Sequence, residues 1–224
     1  MTTPIPSATV ILLRDTPSGM KVLLLRRNSK IAYGGSWVFP GGRIDEHEFQ
    51  HSNNDNDHAA RLAAIRETEE EAGIQIDEKD LVLFSHWTTP IIRPKRFSTW
   101  FFLAAVNNKE VKIDGGEIHD FYWHTPANAL IAQREQQIEL PAPTFVTLTQ
   151  LQQFQNSQDT LAHFRQAPTP RIQPNALKTE SGAIYLYNGD AGYDAKNPDL
   201  KGPQHRLVQP KDGPWQYICE IESP

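Results

Sequence analysis

Arg66-Glu67-Thr68-Glu69-Glu70-Glu71-Ala72-Gly73-Ile74 is the stretch on which the reading of this chain turns. On an α-helix, Glu67, Glu70 and Glu71 stand at i, i+3 and i+4, so three carboxylates share one face. The helix extends upstream to about His58 through a segment rich in Ala, Glu and Arg. Asp55, Asn56 or Asp57 can cap its start, and Gly73 sits where a left-handed C-terminal cap belongs. Leu62, Ile65 and Ala72 lie roughly opposite the acids, the side expected to pack on a sheet, with Glu69 near its rim. Ala60, Ala63 and Ala64 lie on the carboxylate side and leave space beside the acids. Like charges at these spacings disfavour an isolated helix by about 0.2–0.5 kcal/mol per pair. A hard divalent cation that prefers oxygen ligands would offset this. Taken alone, the triplet fits an ordinary solvated acidic face as well.

Upstream, Trp37-Val38-Phe39-Pro40-Gly41-Gly42 is a short apolar run broken abruptly by Pro-Gly-Gly. Glycine there lets a backbone carbonyl approach a metal with no Cβ in the way. Gly42, Glu48, Arg66, Glu67, Glu70, Glu71, Gly73 and Ile74 together resemble the Nudix box, Gx5Ex7REUxEExGU with U apolar. Two departures stand out. Seventeen residues separate Glu48 from Arg66 where the box has seven, an insertion of ten, and Thr68 occupies an apolar position. The insertion leaves Asp45 and Glu46 as alternatives to Glu48, and residues 49–57 read as a solvated loop.

The resemblance implies an α/β/α sandwich with a mixed sheet that hydrolyses a nucleoside diphosphate linked to another group, using Mg²⁺ or Mn²⁺. Matched residue by residue, it makes Glu70 and Glu71 the principal metal ligands. Glu67 becomes a further ligand or the group that positions attacking water. The Gly42 carbonyl completes the metal site, and Arg66 orients the glutamates. A further carboxylate from a loop beyond the box is expected, with Glu117 the candidate and a strand-end surface glutamate the alternative. Residues 8–155 also resemble the NUDT19-type branch. The similar segments are 22–27, 37–45, Trp87-Thr88-Thr89-Pro90, 96–102 and Pro143-Thr144. That branch is associated with cleaving coenzyme A and its acyl esters. Its upstream signature is only partly present: Arg26 fits, but Arg27 and Ile31 stand where serine and arginine are expected.

For substrate binding, Arg93, Lys95 and Arg96, with Trp87 nearby, offer cations for phosphate oxygens and an aromatic face for a base. Arg43 is a second phosphate candidate. A basic solvated hairpin loop is the plainer reading of that segment. Trp100, Phe101 and Phe102 read as core.

Strands are expected at 8–14, 21–26, 81–88 and 98–106, with another ending at 123 after an Asp114-Gly115-Gly116 turn. Helices open at Pro126 and Pro143 and run to about 136 and 154. Domain organisation follows: a Nudix domain over 1–155, and a Pro-rich extension over 156–224 packed on it, with short strands at 184–187, 206–208 and 215–218. A formal net charge of -5 argues against a nucleic-acid binder. One cysteine among 224 residues excludes an internal disulfide. The chain lacks a signal-like start and any membrane-length apolar run, so a cytoplasmic protein with a small-molecule nucleotide substrate is expected. Homodimers are frequent among the relatives implied. The competing readings are a nucleotide-binding sensor without catalysis and a diphosphatase for ADP-ribose- or NADH-type substrates.

Overall fold

The computed structural model describes residues 2–28, 35–107, 110–113 and 115–221; Ile31 and Asp114, named above, lie outside them. The chain opens with a hairpin of β1 (Ile5–Thr16) and β2 (Gly19–Arg27), paired only near its turn, from Leu13↔Val22 to Thr16↔Gly19. Beyond that the two strands part. β1 takes β4 (Gly41–Arg43) through Ser7, Ala8 and Thr9, while β2 takes β3 (Trp37–Val38) through Leu25 and Arg26. The Pro-Gly-Gly segment therefore lies in the mouth of a splayed hairpin. Outward from β1 run β6 (Phe97–Ala105), parallel to it, and then β5 (Val82–Thr88), antiparallel to β6. β7 (Ile118–His124) covers the far edge of β2. The two-residue β8 (Arg171–Ile172) extends the sheet beyond β5, making eight strands.

Strand side chains alternate between faces, and both faces of this sheet are apolar. Ile11, Leu13, Val22, Leu24, Phe101 and Leu103 belong to one buried cluster; Val10, Leu12, Leu23, Leu25, Phe102 and Ala104 belong to the other. Such continuous apolar strands require cover on both sides. The first face is covered by α3 (Pro126–Arg134), α4 (Ala142–Leu151) and α5 (Ser157–Gln166), through Ala129, Phe145, Val146, Leu148 and Leu161. The second is covered by α2 (Asn56–Ala72), preceded by the short α1 (Glu46–His51). The result is the expected α/β/α sandwich. Among the described residues no helix is long and apolar enough to cross a membrane.

α2 starts on Asp55, whose side chain accepts from the Asp57 and His58 amides, and ends on Gly73 at φ 66. Its packing face differs from expectation. Ala59, Ala60, Ala63 and Ala64 are fully buried on the sheet, whereas Leu62 and Ile65 are only partly covered. Four methyl groups let the helix axis lie close to the strands. The carboxylate face is thus continuous with the packing face rather than opposite it. Glu69 is exposed and accepts from Gln75 Nε2 at 2.7 Å. Thr68, in the usually apolar position, is fully buried and satisfies its hydroxyl by donating to the Ala64 carbonyl at 2.7 Å. Part of the expected loop at 49–57 is helical, since α1 runs through His51.

The C-terminal segment is more ordered than its composition suggests. No helix was expected over 157–166, yet α5 fills that stretch and starts on Asn156, which accepts from the Asp159 amide. A separate antiparallel sheet follows, built from β9 (Asn175–Thr179), β10 (Gly182–Leu186), β11 (His205–Pro210) and β12 (Gln216–Cys219) in the order 12-11-10-9. A buried two-pronged ion pair locks it: Arg206 Nε and Nη2 donate to the two Asp190 oxygens at 2.7 and 2.8 Å. Leu161, Ile172, Tyr187 and Leu207 join the same core as Phe84, Trp87 and Phe145.

Candidate functional site

At the splayed end of the hairpin opens a cleft of about 960 Å³. Its lining includes Gly42, Arg43, Glu67, Glu70, Glu71, Trp87, Arg93, Lys95 and Glu117, so most of the expected site residues converge. α2 delivers the carboxylates, and the β3–β4 segment meets them. Glu71 is 5% exposed, and its Oε2 accepts from the Gly41 amide at 2.9 Å. Glu67 is wedged against Gly42 so closely that a Cβ there would overlap its carboxylate. That contact is the reason for glycine at 42. Gly42→Ala is expected to push Glu67 out of place and lower any turnover about tenfold to a hundredfold, with about 1–3 kcal/mol lost from overpacking. Steady-state kinetics and denaturant melts check both numbers; unchanged kinetics would remove Glu67 from the site.

Arg66 lies behind the acids, outside the cleft lining, and holds the group together. Its Nε donates to Glu48 Oε1 at 2.7 Å, Nη1 to Glu67 Oε1 at 2.8 Å and to Glu70 Oε2 at 3.0 Å, and Nη2 to the Arg43 carbonyl at 2.9 Å. A rigid planar fork suits four acceptors at once; an ammonium does not. Glu48 is 3% exposed, and its second oxygen accepts from the Asp45 amide at 2.6 Å. α1 thus returns Glu48 to Arg66 despite the insertion, and Glu48 rather than Asp45 or Glu46 carries the main contact. Asp45, His47 and Glu48 also offer three ligand atoms within 4.8 Å of one another. Both Glu48 oxygens there are already engaged.

The electrostatics set Glu71 apart. Burial pushes its carboxyl up to about 8, aided by Glu67 and Glu117 and opposed by the Gly41 amide and Arg27. Burial likewise raises Glu67, opposed by Arg66. A carboxyl that holds its proton more tightly folded than unfolded makes the native state bind more protons. Its contribution to stability then falls as pH rises from the ordinary value of 4.5 to about 8. His86, His124 and His205, lowered by burial, pull the other way. The informative quantity is therefore the melting-temperature difference between Glu71→Gln and wild type in chelator. It is expected to widen in favour of the variant between pH 5 and pH 8; a constant difference would contradict the burial argument.

Glu117 is 66% exposed, with its Oε2 at 3.6 Å from Arg27 Nη2, and it adds to the field at Glu67 and Glu71. Arg27, not among the expected site residues, also lines the cleft. Arg96 does not. It is 7% exposed and donates to the Thr89 and Thr2 carbonyls at 3.0 and 3.2 Å, tying the β5–β6 loop to the N-terminal segment. The expectation that Arg96 meets a phosphate is therefore not met by its position, whereas Arg93 and Lys95 do line the cleft. Trp87 is 4% exposed, with its Nε1 bonded to Ser85 Oγ at 3.1 Å, and forms wall rather than an open stacking face. Glu48 had a local signal, the Asp45-x-x-Glu48 spacing of a helix-capping box. Arg27 had none.

A family model described as NUDIX domain matches residues 3–145. The acyl-coenzyme A diphosphatase NUDT19 of Xenopus laevis is 30% identical over 133 residues, 56% of this chain and 35% of that protein. The Homo sapiens protein of the same name is 28% identical over 116 residues, 49% of this chain and 31% of that protein. The chain thus spans about a third of the length of these curated relatives. Among solved structures, a NUDIX hydrolase from Alicyclobacillus acidocaldarius superposes with a TM-score of 0.66 at 22% identity, over 75% of this chain and all of that one. The NUDIX domain of Shewanella oneidensis NrtR, solved with ADP ribose, gives 0.52 at 17% identity over 68% of this chain and 89% of that one. These likenesses speak to the fold. With the carboxylate helix and the glycine turn inside the matched segment and the second sheet beyond it, the chain belongs to the NUDIX domain family.

Proposed function

We propose that this chain hydrolyses the diphosphate bond of a nucleoside diphosphate linked to another moiety, with Mg²⁺ or Mn²⁺ as cofactor and coenzyme A or an acyl-coenzyme A as the favoured substrate. The observation that carries the reading is the buried Glu71, set beside Glu67 against the Gly41–Gly42 backbone at one end of the cleft. Such a buried carboxyl stays largely protonated near neutral pH unless a cation binds beside it, and the ligand atoms that the site offers are hard oxygens. Glu67, Glu70, Glu71 and the Gly42 carbonyl would hold a divalent cation. When bound there, such a cation supplies neutralisation of the diphosphate oxygens and activation of water.

The chain's own groups do the rest. Arg66 fixes the rotamers of Glu67 and Glu70. Glu67, 15% exposed, is placed to orient an attacking water and accept its proton at a carboxylate oxygen. Arg27 and Arg43 present positive charge where phosphate oxygens would lie, and Arg93 and Lys95 do so farther along the cleft. The resemblance to proteins named acyl-coenzyme A diphosphatases supports the choice of substrate.

The test is purified protein with Mg²⁺ or Mn²⁺ against coenzyme A, acyl-coenzyme A, ADP-ribose, NADH, dinucleoside polyphosphates and nucleoside triphosphates, with products identified by mass. Cleavage of coenzyme A esters to a 3′,5′-ADP product is the expected result. Binding of a nucleotide without cleavage of any panel member would transfer the protein to the sensor class.

A further inference from the structure

The second sheet and its flanking turns lie outside the matched residues 3–145, yet they form one wall of the same cleft through Pro174, Tyr185, Gln209 and Trp215. We propose that Tyr185 and Trp215 are specificity-determining residues that hold the acyl chain at the end of the substrate's arm, the part joined to the nucleotide through the diphosphate, and not its base. The inference rests on the diphosphatase reading and adds a subsite to it.

The cleft's lining mixes two chemistries. Glu67, Glu70, Glu71, Glu117, Arg27 and Arg43 supply charge. Tyr185, Trp215, Leu140, Pro141, Ala142 and Pro143 supply apolar surface, with Glu139, Thr144 and Gln209 as polar members of the same lining. Pro141, Pro143 and Pro174 have no amide N–H. Three lining positions thus offer no backbone donor to a nucleobase edge, and a base atom left unpaired against them costs about 1–3 kcal/mol. Methylene groups need no partners and gain from contact with aromatic and proline rings.

The groove is also roomy. Its volume of about 960 Å³ is at the upper end for small-molecule sites. It abuts a second concavity of about 380 Å³, and Glu139, Leu140 and Trp215 border both. The platform is fixed in advance. Phe145 meets the Trp215 ring edge-on at 5.3 Å, and Tyr185 is held in β10 between Ala176 and Leu207. Both rings remain partly exposed.

The experiment measures kcat/KM for a saturated acyl-coenzyme A series from acetyl to lauroyl, with ADP-ribose as the diphosphate that lacks the arm. Wild type, Trp215→Ala, Trp215→Phe and Tyr185→Ala are compared. Wild type is expected to improve with chain length, and Trp215→Ala to lose about tenfold on the lauroyl ester. Its change on ADP-ribose should stay under about twofold, and Trp215→Phe should keep most of the preference. Equal losses on lauroyl ester and ADP-ribose, or a wild type indifferent to chain length, would overturn the assignment. Because Trp215 packs on Phe145, a Trp215→Ala protein that melts early is replaced by Tyr185→Ala, for which the same outcomes decide. If wild type cleaves nothing in the series, the diphosphatase reading has failed. Calorimetric titration of lauroyl-coenzyme A and ADP-ribose into chelated protein then decides the subsite alone. Selective weakening of the lauroyl ester in the variants supports it, and parallel weakening overturns it.

Discussion

Glu71→Gln is expected to reduce turnover by about a thousandfold or more while leaving the protein at least as stable as wild type in the absence of metal. The two effects have different origins. Glutamine is nearly isosteric, and its amide oxygen can still accept from the Gly41 N–H, now at 2.9 Å from Glu71 Oε2. Burial with the proton held up to about 8 means that the charged form is the disfavoured one in the empty protein. Removing the charge relieves that cost, and the relief is largest at high pH. The same charge is what a divalent cation would require, so its loss removes electrostatic stabilisation that neither Glu67 nor Glu70 can replace. Paired measurements of kcat and of melting with and without Mg²⁺ separate these effects. The wild type should gain stability from Mg²⁺ at pH 8, and the variant should gain much less. A variant that melts well below wild type in chelator while losing activity in proportion would show that Glu71 serves the fold instead.

Arg66→Ala should produce the largest loss of stability at the site, about 3 kcal/mol or more, because it strands Glu48. That carboxylate is 3% exposed, and once the 2.7 Å contact to Arg66 Nε is gone it keeps the Asp45 amide and a more distant His47 Nε2 at 3.6 Å. Turnover should fall about ten- to a hundredfold as Glu67 and Glu70 lose their common anchor. Adding Glu48→Gln to Arg66→Ala removes the stranded charge, so it should restore much of the stability but little of the activity. Recovery of both would mean that Arg66 acts only through the fold. Arg66→Lys should resemble alanine in kinetics more than in stability, since one ammonium cannot serve Glu48, Glu67, Glu70 and the Arg43 carbonyl together.

The sequence made the carboxylate helix legible because its caps and spacing are local properties: Asp55 and Gly73 bound it, and three glutamates recur within two turns. The buried face of that helix was misread for a physical reason. Leu62 and Ile65 outweigh alanine on any hydrophobic scale, but close packing on a sheet favours small side chains when the helix must bring Glu71 up to a backbone amide. Glu48 was obscured by the insertion, which separates it from Arg66 by seventeen residues without separating them in space. α5 had a readable signal, Leu161 and Phe164 at i and i+3 behind the Asn156 cap, and it was hidden only by the proline-rich stretch that follows it. The aromatic wall was beyond reach for a different reason. Nothing near Tyr185 or Trp215 in the chain hints that they will face residues 140–143, since that neighbourhood is created by the return of the second sheet onto the first core.

That return has a consequence for how the protein is born. The cleft collects residues from Ser7 to Trp215, so a ribosome that has made the glycine turn and the carboxylate helix has not yet made a complete binding groove. Until β8 has paired with β5, and Tyr187 and Leu207 have entered the shared core, the nascent chain displays an apolar surface awaiting its cover. Contacts this distant in sequence close slowly. Synthesis of residues 171–219, which carry β8 and the second sheet, is therefore an interval in which the emerging protein needs protection from aggregation.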